Sequence, residues 1–348
     1  SMSGLLWALP VSFLATLLLT PVFRWVAVRL KIQYNPTAFS VNRAPVPLLG
    51  GLAIFGGFSI PILIADNLSR QGIGILVGAV LVLILGLIDD RWKISSRLQL
   101  LGILVAASVA VAFGVRIQFF SNPFGSDMLL LAAAAVPVTV LWIAGLTSSI
   151  KVMDGLDGLA AGICAISALT LAAVAWQTGL LNYGSPTSVL AMLALAGACL
   201  GFLPYNFHPA KIFMGEAGIM FLGFVLSCIS VEGLLKRSFL VAISIPILSV
   251  GLPLINTLFA VLRRRIRGKD ILSADREHIH DQLLHRGISH RTVVLLLYAI
   301  SIALGIVAYF MVQVDALVAL LIWVALIVIL FLGAWKIDLL NRGRKKQD

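Results

Sequence analysis

Residues 72–90 read Gly-Ile-Gly-Ile-Leu-Val-Gly-Ala-Val-Leu-Val-Leu-Ile-Leu-Gly-Leu-Ile-Asp-Asp. The uncharged part, Gly72 to Ile88, is long enough as a helix to cross a bilayer core of about 30 Å. It ends on two adjacent carboxylates, Asp89 and Asp90. A carboxylate costs several kcal/mol in hydrocarbon, so a pair at a membrane edge needs water, a cation or a polar ligand. For this stretch alone, two solvated acids that simply end a span are an equally good reading.

The rest of the chain has the same character. Of its 348 residues, 60% are hydrophobic and 12% charged, a balance found in polytopic helical membrane proteins and not in soluble domains. Apolar stretches bounded by charge or by Gly, Pro and Asn predict an all-α protein of about eleven transmembrane helices. They fall near 5–29, 48–65, 72–88, 99–115, 129–147, 158–176, 187–203, 214–234, 238–262, 292–312 and 316–334. No basic residue precedes the first, so it is expected to stay in place and not be removed as a leader. With alternating sides, only Arg70, Arg116, Lys236 and Arg237 of the 26 Lys and Arg residues fall on the N-terminal side. The positive-inside rule then puts the N-terminus outside and the C-terminus in the cytoplasm. The net charge of +11 is therefore a topology signal and an attraction to anionic lipid, and it does not point to nucleic acid. Cys164, Cys199 and Cys228 lie within spans and read as small packing residues. Arg116 to Asp127, with alternating Ile117 and Phe119, predicts a short external hairpin.

Chemistry is concentrated in five expected cytoplasmic loops of one domain, 1–348: residues 30–47, 89–98, 148–157, 204–213 and 263–291. The first carries Arg43, then Pro45-Val46-Pro47-Leu48-Leu49-Gly50-Gly51, where the prolines fix an extended entry and the glycines allow close helix approach. The second is Asp89-Asp90-Arg91-Trp92-Lys93, followed by Arg97. The third runs Lys151-Val152-Met153-Asp154-Gly155-Leu156-Asp157-Gly158. Asp154 and Asp157 are expected to share a helix face, and a helix starting there would offer amides to a phosphate; a Gly-rich interhelical turn is the plainer alternative. The fourth spans Asn206 and His208 and leads to Gly215-Glu216-Ala217-Gly218, an acid between glycines at the start of a span. The fifth opens on Arg263-Arg264-Arg265, a headgroup anchor. Its segment Ser273 to His280 is expected to begin an amphipathic helix carrying Gln282, His285, Arg286 and His290. On such a helix His278 and His280 point about 200° apart and would not clasp one metal, whereas in an irregular loop both could face an anion.

Clustered acids suit Mg²⁺, and nearby Arg, Lys and His suit phosphates. Phosphoryl transfer needs both. A secondary transporter would instead place ionisable groups near mid-bilayer on broken helices. The collection of charge at span ends on one face favours an enzyme or a binder working on a lipid at the cytoplasmic surface.

Five motifs occur in one order: Pro-x-Pro-x-Leu-Gly-Gly at 45–51, Gly-Leu-Ile-Asp-Asp at 86–90, Asp-Gly-Leu-Asp-Gly-Leu at 154–159, Phe-Met-Gly-Glu-Ala-Gly at 213–218 and His-Ile-His at 278–280. Together with Leu-His-Arg-Gly-Ile-Ser-His-Arg at 284–291, they resemble the polyprenyl-phosphate N-acetylhexosamine-1-phosphate transferases of the glycosyltransferase family 4 type. The likeness is to the branch that starts O-antigen and teichoic-acid linkage units, and it covers nearly the whole chain. It implies a bacterial inner-membrane enzyme. Undecaprenyl phosphate would attack the sugar-linked phosphate of a UDP-N-acetylhexosamine, giving a lipid diphosphate sugar and UMP, with Mg²⁺ required. By resemblance, Asp89 and Asp90 would position or activate the acceptor, and Asp154 and Asp157 would shape the nucleotide–metal site. Glu216, with Asp154, would hold Mg²⁺. Lys151, Asn206, Arg276, His278, His280 and Arg43 would belong to the substrate-binding surface. Membrane relatives often form homodimers, a state that no motif here requires.

Some positions depart from the family's usual residues. Lys151 stands where Asn is usual and Glu216 where Asp is usual, so Lys151 could pair with Glu216 in the ion's place. Tyr34, Phe39, Ser40 and Asn42 replace an acidic and basic pattern in the first loop, Asp281 stands where another His often follows, and Ile219 where Ser is usual. The alternative function is thus a weakened or inactive member that binds polyprenyl phosphate, a nucleotide sugar or an envelope-assembly partner.

Overall fold

The computed structural model describes residues 5–34, 45–65, 68–117, 119–121, 128–130, 134–178, 186–232, 247–266, 279–315, 317–326 and 328–329. Within them the helices are α1 (Ala8–Arg29), α2 (Gly50–Ile64), α3 (Arg70–Trp92), α4 (Ser96–Ala112), α5 (Ala135–Met153), α6 (Leu159–Gln177), α7 (Pro186–Asn206), α8 (Gly215–Glu232), α9 (Gly251–Ile266), α10 (Ile279–His285), α11 (His290–Met311) and α12 (Leu317–Leu326). Six are long and apolar enough to cross a membrane, and five shorter ones are apolar. Each stretch expected to span therefore carries an apolar helix. The expected fifth span needs correction, because Met128–Leu130 is a strand (β4) and the helix begins only at Ala135. β4 pairs antiparallel with Phe119–Ser121 (β3), so the hairpin expected within Arg116 to Asp127 has its second strand beyond that stretch. A second small pair joins Gln33–Tyr34 (β1) to Val46–Pro47 (β2), the extended entry that the prolines predicted.

Helix α1 shows which medium surrounds the bundle. Its buried face is Ala8, Ser12, Thr16 and Thr20, while Leu14, Leu18, Val22 and Trp25 are more than half exposed. Water would favour the opposite arrangement; hydrocarbon favours this one. Two of the three hydroxyls are satisfied inside: Ser12 Oγ donates to the Ala194 carbonyl at 2.6 Å, and Thr20 Oγ1 donates to Thr16 O. Helix α7 is the hub, packing on α1, α2, α6 and α8. Its seam with α1 is made by small residues, since a Cβ at Gly201 would collide with the Phe13 carbonyl oxygen. A Gly201→Val change should therefore overpack the seam at a cost of about 1–3 kcal/mol. It is expected to lower the thermal midpoint in detergent; an unchanged midpoint would refute this seam.

Helices α3 and α8 pack side by side, with Gly86 so close to Ala217 that no side chain fits between them. That contact carries the acidic end of α3 to the start of α8. Helix α5 packs on α8 and α9, and α6 on α11.

Candidate active site

Asp89 and Asp90 occupy the last turns of α3, and Lys151 the last turn of α5, rather than the loops expected for them. The two adjacent acids have different roles. Asp89 is buried, and its Oδ1 accepts the Ile94 amide at 2.8 Å, closing the turn into α4. Asp90 reaches across to α8, where Oδ1 accepts the Glu216 amide at 2.9 Å and Oδ2 the Ala217 amide at 3.3 Å. A carboxylate at the positive end of a helix is favourable both as a cap and by charge. Gly215 has φ +71°, and a Cβ there would lie 2.5 Å from Asp90 Oδ2, so only glycine leaves room for this cap.

Beside the cap, Lys151 Nζ lies 3.0 Å from Glu216 Oε2 and donates a short hydrogen bond to Gln99 Oε1. Glu216 Oε2 is shielded from solvent and finds no hydrogen-bond geometry, so the Lys151–Glu216 pair is held by charge. Asp154, just beyond α5, faces the charges of Glu216, Asp157 and Asp90. Its carboxyl is pushed up to about 7, first by desolvation and then by these like charges.

This arrangement tests Mg²⁺. The ion needs oxygen ligands at about 2.0–2.1 Å in near-octahedral array. A dication ligated by Glu216 would face the Lys151 ammonium, already 3.0 Å from the same carboxylate, and like charges at such range repel by several kcal/mol even at an effective dielectric of ~20. With Lys151 charged and in place, Glu216 and Asp154 do not fit Mg²⁺.

Asp154 and Asp157 do not share a helix face: residues 154–158 form a turn between α5 and α6. Gly158, at φ +79°, ends it. Asp157 is buried, with Oδ2 2.8 Å from His208 Nδ1 and accepting the Ala210 amide at 3.1 Å. Asn206 is a clamp, accepting the Gly158 amide and donating to the Ile212 carbonyl, both at 3.0 Å. Tyr298 hydroxyl donates to the Gly158 carbonyl. His280 is buried on α10 against Gly155, with Nε2 3.6 Å from Asp281 Oδ1. The helix expected to carry His290 stops earlier: α10 ends at His285, Gly287 turns the chain at φ +83°, and His290 opens α11. There it stacks on His208 with ring centroids 4.1 Å apart. Arg43, Arg276 and His278 lie outside the described residues.

The predicted residues Asp90, Lys151, Asp154 and Glu216 thus form one cluster, with Asp157, Asn206 and His280 beside it. Gln99, His208, His290 and Tyr298 are additions. A lone amide at the start of an apolar run was the available signal for Gln99.

The glycosyl transferase family 4 model matches residues 72–234. The chain is 38% identical, over 92% of its own length and 87% of the relative's, to a probable undecaprenyl-phosphate N-acetylglucosaminyl 1-phosphate transferase of Bacillus subtilis (strain 168). It is 34% identical to a decaprenyl-phosphate N-acetylglucosaminephosphotransferase of Mycolicibacterium smegmatis, over 82% and 76% of the two chains. A phospho-N-acetylmuramoyl-pentapeptide-transferase of Oceanobacillus iheyensis is 32% identical, over 81% and 90%. The apolar helices are those of a multi-pass membrane protein, and these relatives make it a phospho-sugar transferase. The chain belongs to glycosyl transferase family 4.

Proposed function

We propose that the protein transfers N-acetylhexosamine-1-phosphate from a UDP-sugar to undecaprenyl phosphate at the cytoplasmic face of a bacterial inner membrane, releasing UMP. The observation that carries this reading is the meeting of Asp90, Lys151, Asp154 and Glu216 at the joined ends of α3, α5 and α8. A lipid phosphate has its second pKa at about 6 and is largely ionised at pH 7, so it needs orientation more than deprotonation. Asp90 supports a positioning role, since both its oxygens are engaged by α8 amides. Lys151 puts a cation in the cluster, the charge that suits donor phosphates once it leaves Glu216, and His280 packs against Gly155 at the cluster's edge. The resemblance implies an initiating step for an O-antigen or teichoic-acid type polymer.

The Lys151–Glu216 pair favours a second reading, a member without turnover that still binds its lipid and nucleotide. Purified protein in detergent, with undecaprenyl phosphate and UDP-N-acetylglucosamine, separates the two. Slow UMP release, little changed by added Mg²⁺ or by chelator, is the expected result. No release with any UDP-N-acetylhexosamine, with lipid binding intact, would leave the binder as the function. Release that rises steeply with Mg²⁺ would show that Lys151 leaves the site.

A further inference from the structure

We propose that Asp157, His208 and His290 form a site for one divalent cation of the zinc class, distinct from the carboxylate cluster around Glu216. The three come from separate elements: the α5–α6 turn, the segment between α7 and α8, and the first residue of α11. One ligand atom from each lies within 4.8 Å of the other two. Tetrahedral zinc spreads its ligand atoms about 3.3 Å apart, so binding would draw this set together and replace the direct Asp157–His208 contact.

The second observation is at His290. Both of its ring nitrogens are shielded from solvent. The Asp157 main chain takes one of them, as the acceptor of the ring N–H. A neutral imidazole carries one donor and one lone pair, so the lone pair is left unmet among the described residues. A coordinated ion would take up the lone pair. Asp157 is already held by the Ala210 amide, the kind of support that fixes a metal-binding carboxylate. Two imidazoles and one carboxylate suit zinc, cobalt or nickel and not Mg²⁺. The His208 side chain is 29% exposed, which leaves an entry path and a position for water. The ion would clip the start of α11 to the turn that carries Asp154 and Asp157.

The test uses the full chain in detergent, stripped with chelator and offered Co²⁺ in excess Mg²⁺. Uptake of one Co²⁺ per chain is expected, with the visible absorption of a low-coordinate site. His208→Asn and His290→Gln should each cut uptake at least tenfold, and His280→Gln should leave it unchanged. A thermal readout separates site loss from misfolding. Zn²⁺ should raise the midpoint of the wild type and not that of variants whose metal-free midpoint matches it. No uptake by the wild type, or a wild-type absorption band in either the His208 or the His290 variant, overturns the site.

Discussion

Asp90→Asn is expected to lower UMP release about 100-fold, because the Asp90 carboxylate sets where α8 begins. Its two oxygens accept the Glu216 and Ala217 amides from a residue 126 positions earlier in the chain. Asn keeps one acceptor and turns an NH₂ toward the other amide, losing a cap worth about 1–2 kcal/mol and the charge that suits the helix end. Glu216 and its partner Lys151 then shift, and a displacement of about 1 Å in a reacting geometry costs on the order of 10²-fold. Gly215→Ala provides the matched control. It changes no ionisable group, yet it places a Cβ 2.5 Å from Asp90 Oδ2 at a residue with φ +71°. The same fall in turnover is expected, with a lowered thermal midpoint in both variants. Loss of activity in Asp90→Asn alone, with Gly215→Ala near wild type, would instead mean that the carboxylate acts directly on substrate. Retention within threefold in both would remove Asp90 from the site.

The spans were legible because a membrane helix announces itself in consecutive residues: the run from Gly72 to Ile88 needs no partner to be read. The collection of acids at one set of helix ends was legible too, since Asp89, Asp90 and Asp154 each end an apolar run and Glu216 opens one. Their pairing was less so. Nothing near Asp90 in sequence says that it caps α8, because the cap depends on α3 and α8 touching at Gly86 and Ala217. The spacing of Asp154 and Asp157 suggested one helix face, but Gly155 and Gly158 let the chain turn there, sending Asp157 into a buried contact with His208. The contact between His208 and His290 joins residues far apart in sequence, and periodicity carries no information at that range. The ion pair of Lys151 with Glu216 was anticipated from two residue types that depart from the family's usual pattern, and the structure places them 3.0 Å apart.

Restoring Lys151→Asn together with Glu216→Asp is expected to make UMP release Mg²⁺-stimulated, at least tenfold above the wild type under the same conditions. Removing the ammonium abolishes the repulsion that opposes a dication beside residue 216, and Asn adds a carbonyl oxygen that Mg²⁺ accepts as a ligand. Shortening Glu216 by one methylene draws the carboxylate back toward the α8 terminus. Asp154 gains most: it faces the charges of Glu216, Asp157 and Asp90, and a bound dication would stabilise its ionised form. Lys151→Asn alone should be worse than either end state. It leaves Glu216 Oε2 shielded without a cation and Gln99 without its donor, a loss of about 1–3 kcal/mol in stability. The order of effects is therefore non-additive: the single Lys151 change destabilises, and the double change with Mg²⁺ recovers both stability and turnover. Calorimetric titration of Mg²⁺ supplies a readout independent of activity, with heat expected for the double variant and none for the wild type at the same concentration. Equal Mg²⁺ binding by both proteins would show that the ammonium never guarded the site, and a double variant that binds Mg²⁺ without faster turnover would place the limiting defect at the acceptor end of the cluster.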